Sequence, residues 1–235
     1  MRSRLTFWNC IGTGLLTVLP VPAIRAQAPP SPSSSSKPHS ASKPARKPPA
    51  AAQSPLDAGL LSAGVYRNSA FGFTCKIPAG WVLRTDEMNR QEDEDKEADA
   101  GKKSTDAGRV LLAAFSRPPQ ARAEDVNASV VIAAESAATY PGLKDAAQYF
   151  GPVTEVAKGQ GFEIDEEPYE FVLGTKTLVR GDFKRDVGTR VMRQSTLVLL
   201  DRGYAVSFTF LGGTEDEVEE LVQRLSFAAG EKAVK

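Results

Sequence analysis

The only histidine of the 235-residue chain is His39, and it stands in a run of prolines and serines rather than near any apolar pattern. The part expected to fold therefore has no imidazole to serve as general base, metal ligand or member of a triad. That excludes the Ser-His-Asp and Cys-His arrangements and most zinc sites. Cys75 alternates with phenylalanines along "FGFTCKI" and has no base beside it in sequence, so it reads as a buried, unreactive thiol rather than a nucleophile. Carboxylates crowd together at Asp165, Glu166, Glu167 and Glu170. A pair of them about 5 to 9 Å apart could run acid–base hydrolysis, whereas a run of acids along a strand edge is ordinarily a solvated face. "EDEDKEAD" (residues 92–99) offers the oxygen ligands calcium prefers, but it lacks the central glycine and closing glutamate of an EF-hand loop. Neither a phosphate-binding P-loop nor a dinucleotide glycine fingerprint is present. "NAS" at Asn127 has the form of a glycosylation acceptor, but it falls within an expected strand. No catalytic, cofactor-binding or metal-binding residue is expected. One cluster is left as a binding candidate: Arg180, Lys184, Arg190 and Arg193, flanking the turn "DVG" on neighbouring strands. They could form a patch for an anionic ligand or partner, or they could pair with Asp182, Asp186 and other local acids.

The elements that would position such residues begin well into the chain. Arg2 and Arg4 precede an apolar run over residues 11–21 and the small-residue string "AIRAQA". That order marks residues 1–26 as a secretory signal peptide, with cleavage expected after Ala26 or Ala28. The apolar run is about half the ~20 residues a membrane span needs, and no later run is long enough to cross a bilayer. Cys10 sits too early in this segment to be the modified cysteine of a lipoprotein. Removing residues 1–26 takes away three arginines and no acid, leaving 26 basic against 29 acidic residues. A mildly negative product argues against nucleic acid as the main partner, and its lone Cys75 excludes an internal disulfide. Residues 27–55 hold eight prolines and eight serines, with Lys37, Lys43, Arg46 and Lys47 as their only charges. This composition has nothing to bury and is expected to be a disordered spacer.

Residues 56–235 are expected to form one α+β domain, large enough to bury a core. Tyr66 lies in a short strand, "NSA" supplies a turn, and Phe71, Phe73, Cys75 and Ile77 alternate on the next strand. Pro78 and Gly80 then redirect the chain and deliver Trp81, expected in the core with Phe71 and Phe73. Residues 86–107 are strongly acidic with hardly an apolar side chain, and are expected to be an exposed, mobile loop that could be excised without loss of fold. "RVLLAAF" and "VNASVVIAA" read as strands. Leu143, Ala146, Ala147 and Phe150 form a helical stripe that Gly151 and Pro152 should break or kink. Strands are expected over residues 169–182, 190–201 and 204–211. Thr214 and Glu217 in "TEDE" form a capping box for a last helix with Val218, Leu221, Val222 and Leu225 on its buried side.

Tyr66, Asn68, Phe71, Gly72, Phe73, Pro78, Gly80 and Trp81, with a mid-chain helix, the late "GYAVSFTF" strand and a closing helix, resemble the PsbP-like family. The resemblance spans about residues 64–228. It implies an antiparallel sheet of six to seven strands with helices on both faces, an α/β/α sandwich that a Ran-binding nuclear-transport factor shares. Family members include photosystem-associated lumenal subunits and bacterial exported proteins, mostly non-catalytic, with no catalytic motif to carry over. The expectation is thus an exported, periplasmic or extracellular, monomeric accessory protein that binds a protein or envelope component and uses no cofactor. Its rival is a small exported hydrolase using paired carboxylates.

Overall fold

A computed structural model describes residues 56–98, 108–118 and 126–227. The expected signal peptide and spacer lie outside these residues. Among the described residues, eleven strands form two antiparallel sheets, and three α-helices accompany them.

The smaller sheet has the order β1-β2-β3-β11, built from β1 (Leu60–Ser62), β2 (Val65–Asn68), β3 (Phe73–Lys76) and β11 (Leu225–Phe227). Its first hairpin closes through Ala63 and Gly64, both at positive φ, 49° and 72°. Such a two-residue turn matches the twist of the strands it joins, which is why glycine occupies the second position. The next turn is organised by Asn68, which is 1% exposed. Its Oδ1 accepts from the Phe71 amide at 3.0 Å, and its backbone carbonyl accepts from the Gly72 amide at 2.9 Å. Its amide nitrogen donates backwards to the Asp57 carbonyl at 2.9 Å, while the Tyr66 hydroxyl donates to the Ala58 carbonyl at 2.8 Å. The Asp57 carboxylate in turn accepts from the Gly59 amide and the Ser69 hydroxyl. The segment ahead of β1 is therefore held by two side chains of β2.

The larger sheet runs β4-β5-β6-β10-β9-β8-β7, all antiparallel: β4 (Val82–Leu83), β5 (Arg109–Phe115), β6 (Ser129–Ser136), β7 (Glu163–Leu173), β8 (Lys176–Val187), β9 (Arg190–Asp201) and β10 (Tyr204–Gly212). β6 is buried along its whole length and β5 from Val110 onward, as strands covered on both faces must be. One face meets the small sheet through aromatic rings. Phe73 stands edge-on to Phe208 with centroids 4.9 Å apart, and Phe208 meets Phe227 edge-on at 5.9 Å. Pairs of this kind contribute about 0.5–1.5 kcal/mol each beyond their buried area. On the same face lies α3 (Glu215–Val222), which packs on β9 and β10. Thr214 caps it by accepting from the Glu217 amide at 3.1 Å, and Glu217 reaches back to the Gly213 amide at 2.7 Å. The opposite face carries α2 (Ala146–Gly159), capped by Asp145 and buried through Tyr149, Phe150, Val153 and Ala157. The architecture is α+β, with an antiparallel seven-stranded sheet flanked by helices on both faces; the four-stranded sheet joins α3 in one outer layer.

Several expectations are corrected. The acidic loop is a helix as far as residue 98: α1 (Thr85–Ala98) docks on the outer edge of β5. Its side chains take the place of a neighbouring strand, because Asn89 bonds both the amide and the carbonyl of Val110 at 3.0 Å and the Thr85 hydroxyl accepts from the Ala113 amide at 2.9 Å. Met88, 3% exposed, anchors it. α2 runs through Pro152 without a break. Residues 169–182 are not one strand but parts of β7 and β8, joined by a turn at Gly174. Leu225 belongs to β11 rather than to the last helix, and Trp81 is half-buried rather than in the core.

Candidate functional site

The basic cluster expected from sequence is resolved into ion pairs. Arg180 is 7% exposed on β8. Its Nε donates to both carboxylate oxygens of Asp182, at 3.1 and 3.0 Å, its Nη2 donates to Glu219 of α3, and its guanidinium lies over the Phe171 ring at 5.3 Å. Burial works against its charge, but the carboxylates of Glu219 and Asp182 more than offset that and raise its pKa. Arg180 thus fastens α3 to the sheet. Lys184 and Arg193 stand opposite each other on β8 and β9, and both reach Asp165 on β7 at 2.7 Å. These contacts hold the Asp165 carboxyl below its ordinary pKa, the Lys184 hydrogen bond first among them. Arg190, exposed at the end of the β8–β9 hairpin, pairs in register with Val187 and so points to the other face from Lys184 and Arg193. Three of the four residues are therefore brought to one face, each engaged by acids, and Arg190 is set apart.

Between this face and α3 runs a cleft of about 360 Å3. Asp165, Glu166, Asp182, Glu215 and Glu219 line it against the two guanidiniums of Arg180 and Arg193, so carboxylates outnumber cations. Tyr169 adds an aromatic wall and hydrogen-bonds Asp182 at 3.2 Å; burial, then the Asp182 charge, pushes its phenol up to about 12. The bulges that interrupt β7 between Ile164 and Tyr169 turn Asp165 and Glu166 toward the cleft and break the regularity of an edge strand. Sequence reasoning missed Glu215 and Glu219 as neighbours of the arginines, and the available signal was only their place on the exposed side of a capped helix. Among the described residues no group of three or more His, Cys, Asp or Glu side chains is arranged to hold a metal ion. Cys75 is fully buried, and burial raises its thiol pKa to about 12.

No protein-family model matches the sequence, and no curated protein does. Among solved structures, the chain is similar to cyanobacterial PsbP from Synechocystis sp. PCC 6803, at 19% identity over 77% of this chain and 100% of that one, with a TM-score of 0.40. It is also similar to the Ran-binding protein Mog1p of Saccharomyces cerevisiae, at 11% identity over 67% and 80%, with a TM-score of 0.36. LpqN of Mycobacterium tuberculosis, described as involved in cell envelope biogenesis, follows at 14% identity over 66% and 83%, with a TM-score of 0.31. At these identities and scores the likenesses say nothing about activity or partner, and the architecture stands on its own strand order and packing.

Proposed function

We propose that the chain is an exported, non-catalytic accessory protein of the cell envelope, and that it binds another protein through the cleft between β7–β9 and α3, which takes cationic side chains of that partner. The observation that carries this reading is the charge balance of the cleft. Its own arginines are already held by Asp165, Asp182 and Glu219, which leaves Glu166 and Glu215 as carboxylates with no cation of the cleft's own. Such a surface repels an anionic ligand and favours lysine or arginine, so the anion-binding reading of Arg180, Lys184 and Arg193 gives way to one of opposite sign. Export rests on the order of charge, apolar run and small residues at the start of the sequence. The hydrolase reading is weaker here, because a general acid needs a raised carboxyl pKa and that of Asp165 is lowered.

Titration of the protein with an arginine-rich peptide, followed by amide chemical shifts, tests the proposal. Shifts should concentrate at Glu166, Tyr169 and Glu215 and disappear in the double variant Glu166→Lys, Glu215→Lys. A glutamate-rich peptide that shifts the same amides, or an arginine-rich peptide that leaves them unmoved, would overturn it.

A further inference from the structure

A second cavity, about 470 Å3, opens at the other edge of the seven-stranded sheet, where β1, β4, the first turns of α1 and the outer edge of β5 meet. Leu61 and Leu83 line it, and Leu83 is 48% exposed, so apolar surface meets solvent there. Arg84, Arg90 and Arg109 line it too, and the acids among its described lining residues are Asp86 and Glu87. Glu87 is taken up by Arg84, whose Nε and Nη2 each donate to it at 2.8 Å; that bond lowers the Glu87 pKa. Arg90 is exposed, and its Nε donates to the Asp86 carbonyl at 3.3 Å. The side chain of Arg109, exposed at the start of β5, has no hydrogen bond or ion pair among the described residues. The first amides of α1 add partial positive charge at the same place. Among the described residues this cavity therefore has the opposite sign to the β7–α3 cleft, and its surplus cation shares the recess with the exposed Leu83.

We infer that this cavity binds a single-chain amphiphile with a carboxylate head, the head paired with Arg109 and Arg90 and the chain laid against Leu61 and Leu83. A purely ionic ligand would leave the leucines in water, and an uncharged chain would leave Arg109 without a counter-charge. The inference is independent of the cleft reading, since the two sites share no residue.

Calorimetric titration of the full chain with dodecanoate, kept below its micelle concentration, supplies the test. Saturable one-to-one binding is expected, weakened about tenfold by Arg109→Glu and by Leu83→Asp and retained in Arg109→Lys. Dodecyl maltoside, with the same tail and no charge, should bind about tenfold more weakly than dodecanoate. Amide shifts on binding should map to Leu61, Leu83 and Arg109. Both substituted side chains are exposed, and melting curves establish that the variants fold. Absence of saturable binding, equal binding by the two substituted variants and the wild type, or equal binding of the maltoside would each overturn the inference. So would tighter binding of an acidic, leucine-rich peptide at the same amides, which would make the occupant a protein segment.

Discussion

Phe73 and Trp81 sit eight positions apart, yet their energetic roles differ. Phe73, 1% exposed, touches rings on β2, β10 and β11, so Phe73→Ala should cost about 3–5 kcal/mol. Trp81→Ala should cost clearly less, because part of its surface is already in water; chemical denaturation of the two variants side by side checks the order. The alternation of Phe71, Phe73 and Cys75 was readable in the sequence, since period two assigns a face by itself. Trp81 follows Pro78 and Gly80, where the chain changes direction and no period says which way a side chain faces. The basic residues of the cleft were readable too, but not their counter-ions: Glu219 lies 39 residues from Arg180 and Asp165 lies 28 from Arg193. Only the fold brings them together. Cys75 gives a pH prediction. Its folded pKa, about 12, lies above that of the exposed thiol, so its contribution to stability is complete below the ordinary thiol pKa, about 8.5, and is lost as pH rises toward the folded value. Thiol reagents should leave Cys75 untouched in the native protein near neutral pH and react with it on unfolding; rapid native-state labelling would refute the account.

At the scale of elements, helix α1 is what a purely compositional reading could not foresee. Its acidity argues for a loop, and it forms because Thr85 and Asn89 satisfy the open edge of β5 while Met88 is buried. Asn89→Ala removes both bonds to Val110 and should destabilise the domain by about 1–3 kcal/mol, with faster hydrogen exchange at the Val110 amide as the local readout. Excising the segment should therefore carry a cost, contrary to what its composition suggests. Helix α2 illustrates the opposite case, in which a breaker fails to break. Proline removes one amide from the interior ladder, but Tyr149, Phe150, Val153 and Ala157 bury the helix on both sides of Pro152, and tertiary packing outweighs local preference. That packing is close: a Cβ on Gly181 would stand 2.5 Å from the Phe150 ring. Gly181→Ala should cost about 1–3 kcal/mol through displacement of that ring, visible as a lower melting temperature, and Phe150→Leu in the same background should recover part of it. The β9–β10 hairpin was legible because alternation flanks its tight "DRG" turn. The β7–β8 hairpin was not, since Gly174-Thr175 interrupts an apparently continuous run.

For the molecule as a whole, the order of the large sheet sets the acidic cleft and the arginine-rimmed cavity at opposite edges, while β1 and β11, the first and last described strands, both lie in the small sheet. What joins the chain ahead of Asp57 to the domain is thus the small sheet. The grip of Tyr66 and Asn68 on the Ala58 and Asp57 carbonyls then has a mechanical meaning. A tug arriving along the chain before Asp57 would otherwise fall on β1, a three-residue edge strand that peels open one bond at a time. Instead it is passed sideways into β2, which has a neighbour on each side, so force spreads across the sheet before any strand separates. In single-molecule stretching from the N-terminal side, Asn68→Ala should lower the force of the first rupture and reveal an early, small lengthening as β1 detaches; an unchanged first rupture would show that the grip carries no tension.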